Sequence, residues 1–188
     1  MERGRNYFDL NEGERHLFSS SPSHPCVFIS HKKEDADFAR NLSDYVMERG
    51  INVYFDENDP ILAKEHKSPD EVVNAIKIGL EKSTHMIIVL SMNTLESNWV
   101  PWEVGFASAK DKEYRLLRLN DVSGDIPEFY KVAKILNDYD DLNKYLASMK
   151  TSQTNNRFSY EEIIRKKKLF DRLDELKKVI PQINKQSL

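Results

Sequence analysis

Cysteine is almost missing from this chain. Cys26 is the single one, set in an apolar run, so no disulfide framework can form within the chain and the composition fits a reducing compartment. Long apolar runs are missing too. The longest, Met86 to Leu90, is far shorter than the roughly 20 residues that span a bilayer. The opening stretch MERGRNYFDLNEGERHLF is charged and lacks the apolar centre of a secretory signal. A soluble, cytoplasmic protein without membrane attachment is expected. Neither sign of charge dominates: 28 Lys and Arg face 31 Asp and Glu, a formal net charge of −3, so no global pull on nucleic acid is expected. The five histidines (His16, His24, His31, His66 and His85) are scattered. No two have the close spacing of a zinc site, so no metal is expected.

What is present is a chain of 188 residues, 39% apolar and 31% charged, enough for one domain with extended ends. Residues 1–25 read as an N-terminal arm. Its SSSPSHP segment should hold no regular structure, while Tyr7, Phe8, Leu10, Leu17 and Phe18 can dock on a domain but not form a core. Residues 26–150 read as the domain. CVFIS (26–30) and HMIIVLS (85–91) are short β-rich runs suited to strands buried on both faces. NVYFD (52–56) is a further strand, 114–119 a weaker one and 132–136 a short one. Apolar residues spaced by three and four predict a helix over 34–49, with Gly50 as its stop. A second helix opens at Ser68-Pro69, Ser68 as N-cap and Pro69 at the first position. A third runs from Asn98 to about Lys110, and a fourth over 141–149. Residues 151–156 (TSQTNN) are a linker, and 159–180 predict an amphipathic C-terminal helix ended by Pro181. Its basic run, Arg165 to Lys168, lies among acidic residues and reads as a solvated face. Its stripe of Ile163, Leu169, Leu173, Leu176 and Ile180 reads as a partner contact.

Strands alternating with helices predict an α/β fold, a parallel sheet with helices on both faces and right-handed crossovers. Ligands of such sheets sit at the carboxyl ends of the strands. That places Ser30 to Asp35, Asp56 to Leu62 and Ser91 to Glu103 around one opening.

The segments CVFISHKKEDADFARNLSDYVMERGINVYFDENDPIL and STHMIIVLSMNTLESNWVPWEVGFASAK resemble parts of a TIR domain. The FISHK-x-ED run, the DP-x-L loop, the STH ahead of the third strand and the W-V-P-[FW]-E-[IV]-G segment are similar to those of the TIR-like proteins of the bacterial Thoeris antiphage system, the ThsB family. The likeness covers about residues 26–147, and the order and spacing of its short strings carry it. The resemblance implies a flavodoxin-like TIR fold. It implies cleavage of the bond between nicotinamide and ribose in NAD, which is substrate and not cofactor. An essential glutamate on the helix after the third strand matches Glu103. A cyclic ADP-ribose isomer would then signal to a separate effector that depletes NAD during phage defence. Many TIR domains carry a glycine after the second strand; ENDPILAKEHK has none.

The chemistry suits these residue types. Nicotinamide leaves as a neutral base, so no general acid is needed, and a carboxylate beside the ribose stabilises its developing positive charge. Glu103 is placed by the predicted helix in the first turn, where the dipole favours the ionised form by roughly 0.3–1 kcal/mol. A glutamate there can also serve the dipole alone. Trp99, four residues earlier on the same face, can stack on a flat ring or pack the helix on the sheet. Trp102 reads as packing. Ser30, His31 and Lys32, with Lys33, can meet the diphosphate or form an exposed turn. Asp56 can bond a ribose or form a turn, and Ser91, with Asn93, can shape the crevice floor or cap the loop. Two function classes remain: an NAD-processing enzyme, or a non-catalytic TIR adaptor acting by protein–protein assembly, including homo-oligomers. A phosphorylatable receiver domain is excluded, because its acidic positions hold Ser30-His31-Lys32 and Ser91-Met92-Asn93. A nucleoside deoxyribosyltransferase is a minor alternative with related sugar chemistry.

Overall fold

The structure, a computed structural model, describes residues 3–10, 14–15, 24–55, 68–149 and 174–180. Five strands lie in one sheet: β1 (Cys26–Ser30), β2 (Asn52–Tyr54), β3 (His85–Leu90), β4 (Glu113–Arg118) and β5 (Lys134–Leu136). Their order is β2-β1-β3-β4-β5 and every pairing is parallel. This is the flavodoxin-like doubly wound arrangement. The helices are α1 (Ala36–Glu48), α2 (Pro69–Lys82), α3 (Met92–Leu95), α4 (Trp99–Ala109), α5 (Glu128–Lys131) and α6 (Tyr139–Ser148). Two of these, α3 and α5, are single turns that the periodicity did not predict, and α5 shortens the fifth strand to its last three residues. Among the described residues, no helix is long and apolar enough to cross a membrane.

The pleat divides the core in two. Val27, Ile29, Ile87 and Val89 face one layer, with Leu42, Tyr45 and Val46 of α1 and Leu142 and Leu146 of α6. Cys26, Phe28, Met86, Ile88 and Leu90 face the other, with Ile76 and Leu80 of α2, Val100, Val104 and Ala107 of α4, and Tyr130 of α5. The helix boundaries have local causes. Residues Lys33–Asp35 form a 3-10 turn ahead of α1, and Gly50 just beyond its end has φ 76°, a conformation glycine adopts without a Cβ clash. The Ser68 side chain accepts from the amide of Glu71 while the Glu71 carboxylate accepts from the amide of Ser68, so α2 starts with a reciprocal cap.

Both ends of the chain dock on this frame. Asn6 bridges Val53 in parallel, the Val53 amide donates to Arg5 O at 3.0 Å, and the Phe55 amide donates to Asn6 Oδ1 at 3.2 Å. The arm thereby satisfies backbone groups on the open edge of β2, and Tyr7 stacks on Tyr54 at 5.0 Å. At the other end, 174–179 is helical. Leu176 and Ile180 are fully buried in the α1/α6 layer, and Asn120 donates to Val179 O and Lys178 O. The described end of the predicted partner-facing stripe therefore completes the chain's own core, a correction whose cause is that the layer over α6 and β4 would otherwise be open. The segments at 19–23, 56–67 and 150–173, with the linker, the basic run and the glycine-free loop, lie outside the described residues.

Gly79 lets α2 approach the sheet: a Cβ there would lie 2.6 Å from ring atoms of Phe28 and Tyr54. A Cβ on Gly105 would meet nothing within 4 Å. Gly79→Ala should therefore lose about 1–3 kcal/mol in denaturant unfolding through overpacking, whereas Gly105→Ala should gain roughly 0.5–1 kcal/mol of helix stability. Equal effects would contradict the close approach. A second expectation concerns His85, whose pKa burial lowers from 6.5; Glu113 opposes this and Lys112 and Arg115 reinforce it. The unfolded chain then binds a proton that the folded chain refuses. The stability this gives is present above about pH 6.5 and is lost as pH falls through the lower folded value. In melting temperatures measured from pH 7 to pH 5, His85→Gln should show a shallower decline than the unaltered protein.

Candidate active site

Because β1 and β3 are neighbours whose crossovers leave in opposite directions, their carboxyl ends flank the crevice of this topology. Side-chain parity decides what faces it from each layer. Ser30 ends β1 on the same side as Phe28, beneath α4. There its hydroxyl donates to Glu103 Oε2. Glu103 is 7% exposed, so a carboxylate is held in a nearly dry position, where it needs hydrogen-bond donors. Its place on the helix differs from the predicted one. The helix begins at Trp99 with no acidic residue in its first turn, and Glu103 is fifth in it. Glu103 thus lies beyond the first turn, where the dipole acts, and the Ser30 hydroxyl donates to its carboxylate. The α4 start itself is supported by Ser97, whose Oγ accepts from the amides of Trp99 (3.2 Å) and Val100 (3.3 Å).

Ser91 has the opposite parity and faces the α1 layer. It caps α3 by accepting from the Thr94 amide at 3.0 Å and donates to Asp35 Oδ2 at 2.5 Å. Asn93 Nδ2 donates to Asp35 Oδ1 at 2.8 Å. Buried Asp35, in the turn after β1, thus ties that turn to the one after β3. The sequence places Asp35 in the turn at the opening without a partner; the pairing of a buried acid with a Ser-x-Asn cap across adjacent strands is visible only once β1 and β3 are known to be neighbours.

The remaining candidates scatter by exposure. His31 is half-buried, its ring 5.2 Å from that of Phe55 and Nδ1 3.4 Å from Ile29 O. Lys32 is also half-buried and reaches Glu34 at 4.0 Å. Trp99 is 39% exposed, one helical turn from Glu103. Trp102 packs, stacked on Phe106 at 5.4 Å and 13°. Asp56 lies outside the described residues. The structure brings Ser30 and Glu103 into contact and places Ser91 in a separate cluster.

One residue of the site has no sequence signal. Tyr130, on α5, is 1% exposed, and its hydroxyl has no hydrogen-bond partner among the described residues. A buried unpaired hydroxyl costs roughly 1–3 kcal/mol. Burial and then the Glu103 charge push its pKa up to about 12, so the phenol stays neutral.

A family model for the TIR domain matches residues 27–147. The chain is 34% identical over 83 residues to the NAD(+) hydrolase TcpC of Escherichia coli O6:H1, covering 44% of this chain and 25% of that protein. It is 30% identical over 123 residues to the 2′ cyclic ADP-D-ribose synthase AbTIR of Acinetobacter baumannii, 64% of this chain and 40% of that one. It is 26% identical over 80 residues to the probable 3′ cyclic ADP-D-ribose synthase ThsB′ of Bacillus cereus, 43% of this chain and 42% of that one. In each case less than half of the relative's length is spanned.

The Asp35 tie gives a direct expectation. Asp35→Ala strips the shared acceptor from Ser91 and Asn93 and should cost about 2–3 kcal/mol in urea unfolding. Asp37→Ala, which removes an exposed carboxylate paired with Arg40, should change stability by less than about 0.5 kcal/mol.

Proposed function

The chain belongs to the TIR-domain family, and on that premise we propose that it is an NAD-processing enzyme that breaks the nicotinamide–ribose bond with Glu103 as its catalytic carboxylate. The observation that carries this reading is the buried Glu103 side chain, held by Ser30 at the β1/β3 crevice. The names of the relatives, NAD hydrolase and cyclic ADP-ribose synthase, support the same chemistry.

The step follows from charge. The electron pair of the C1′–N1 bond leaves with nicotinamide, which departs neutral, and positive character develops on the ribose. A carboxylate already desolvated and oriented by a hydroxyl stabilises that charge more strongly than one in water. Attack of water at C1′, with loss of its proton, gives ADP-ribose. Attack by a second nucleophile of the same ADP-ribose gives a cyclic product, and requires a crevice that holds both ends of the molecule and excludes water. We assign the cyclic outcome to this chain. The turn at His31 and Lys32 meets the diphosphate, Asp56 the ribose, and Trp99 stacks on a flat ring of the substrate. Ser91 supports the crevice through Asp35. The product is a cytoplasmic signal of a Thoeris-type antiphage response that activates a separate NAD-depleting effector.

Glu103→Gln keeps the size of the side chain and an acceptor for Ser30, so it should fold normally. It should lower the rate of nicotinamide release by about 10²–10³-fold. Mass spectrometry of NAD incubated with each protein, alone and with extract of phage-infected cells, measures this. Nicotinamide and a cyclic ADP-ribose isomer should appear only with the unaltered protein. Equal product from both overturns the assignment of Glu103, and no product from the unaltered protein in either condition favours the adaptor reading.

A further inference from the structure

Asn6 lies in the N-terminal arm, ahead of the first strand, yet it is 4% exposed and both ends of its side-chain amide are committed to one residue. Its Oδ1 accepts from the Phe55 amide at 3.2 Å, and its Nδ2 donates to Phe55 O at 3.4 Å. Phe55 follows β2 directly, at the carboxyl end of the sheet where the crevice lies. Because β2 is the edge strand, the Asn6 side chain stands where a further strand would pair. The arm has other attachments. The Gly4 amide donates to Met47 O at 2.8 Å, the Arg5 amide donates to Asn52 Oδ1 at 2.9 Å, and Arg3 pairs with Asp44 at 2.8 Å and Glu48 at 3.0 Å. The approach is so close that a Cβ on Gly4 would lie 1.9 Å from Ile51 O. Anchoring the arm therefore does not by itself require a clamp on Phe55.

The Phe55 ring gives the clamp a use. It is buried in the same apolar layer as Ile29, and its centroid is 5.2 Å from that of the His31 ring. His31 Nδ1 in turn lies 3.4 Å from Ile29 O. The imidazole is thus held between the end of β1 and an aromatic ring whose backbone Asn6 fixes. We propose that Asn6 is a positioning residue of the crevice: its amide fixes Phe55, and the Phe55 ring fixes His31 in the turn that meets the diphosphate. The inference rests on the reading of that turn given above. Asn6 and Phe55 act through His31 and touch no substrate. A side chain already held in its binding orientation loses little freedom when the ligand arrives, so the arm raises affinity without adding a contact.

The test is a double-mutant cycle on the full chain, with Asn6→Ala, His31→Ala and the pair. Proton–carbon spectra of the histidine rings report the placement of His31, with His85 at the amino end of β3 as the internal reference. Calorimetry gives ADP-ribose affinity, and turnover of NAD gives kcat and KM. Asn6→Ala should move the His31 resonances and leave those of His85 in place. It should weaken ADP-ribose binding about 5–10-fold when His31 is present and by less than about twofold in the His31→Ala protein. KM should rise by the same factor while kcat stays within about twofold. Should Asn6→Ala fail to fold, Asn6→Asp keeps the size of the side chain and an acceptor for the Phe55 amide but sets a second acceptor against Phe55 O. It should move the same resonances. Unmoved His31 resonances, or an equal loss of affinity in both backgrounds, overturns the proposal, as does failure of the unaltered protein to bind ADP-ribose. Coupling with ADP-ribose while NAD stays intact with the unaltered protein supports the role of Asn6 and removes only the reaction assigned to Glu103.

Discussion

The adjacency of β1 and β3 is the constraint from which the site follows. Val27 to Ser30 pair in parallel register with His85 to Ile88, and the chain leaves the two strands toward opposite edges of the sheet. Their carboxyl ends are therefore the one place where the connecting turns diverge, and a crevice remains between them. The described groups at the site are delivered by these two strands or by the turns and helices that follow them and β4.

Parity along the strands then separates structure from chemistry. Ser30 and Ser91 end neighbouring strands, yet they point into different layers. On the α1 side, Asp35 gathers Ser91 and Asn93 and closes the turns onto each other. On the α4 side, Ser30 meets Glu103. The two buried carboxylates thus lie in different layers, each bound by its own donors. Asp35 has both oxygens committed to donors of its own fold. Glu103, on a helix whose first residue, Trp99, is exposed, accepts from Ser30 and is the carboxylate proposed to meet the ligand.

Much of the frame was legible in the residues. The apolar runs at 26–30 and 85–91 gave the two central strands because strands buried on both faces need no alternation. Ser68, Pro69 and Gly50 marked helix ends through caps and a positive φ. The single turns α3 and α5 were not legible, since one turn is too short to show a period. Asp35 was missed because its partners are 56 and 58 residues away, and strand order is a tertiary property. The separation of Ser30 from Ser91 depends on the β1/β3 register, which sets Ser30 beside Ile88 and which two strands apolar on both faces do not show by alternation. Glu103 was found through its family motif, but its support was misjudged by one turn, so a local dipole stood where a long-range hydroxyl acts. Nothing in a sequence shows that a tyrosine hydroxyl will lack a partner, and Tyr130 therefore appeared only in three dimensions.

Binding of a ribose where Ser30 presents Glu103 is the proposal on which the catalytic reading turns. A crystal structure with a non-cleavable NAD analogue tests it most directly. A ribose hydroxyl of the nicotinamide half should lie within about 2.6–3.2 Å of a Glu103 carboxylate oxygen, the usual hydrogen-bond range. An analogue bound elsewhere on the domain, with Glu103 untouched beside Ser30, would contradict it.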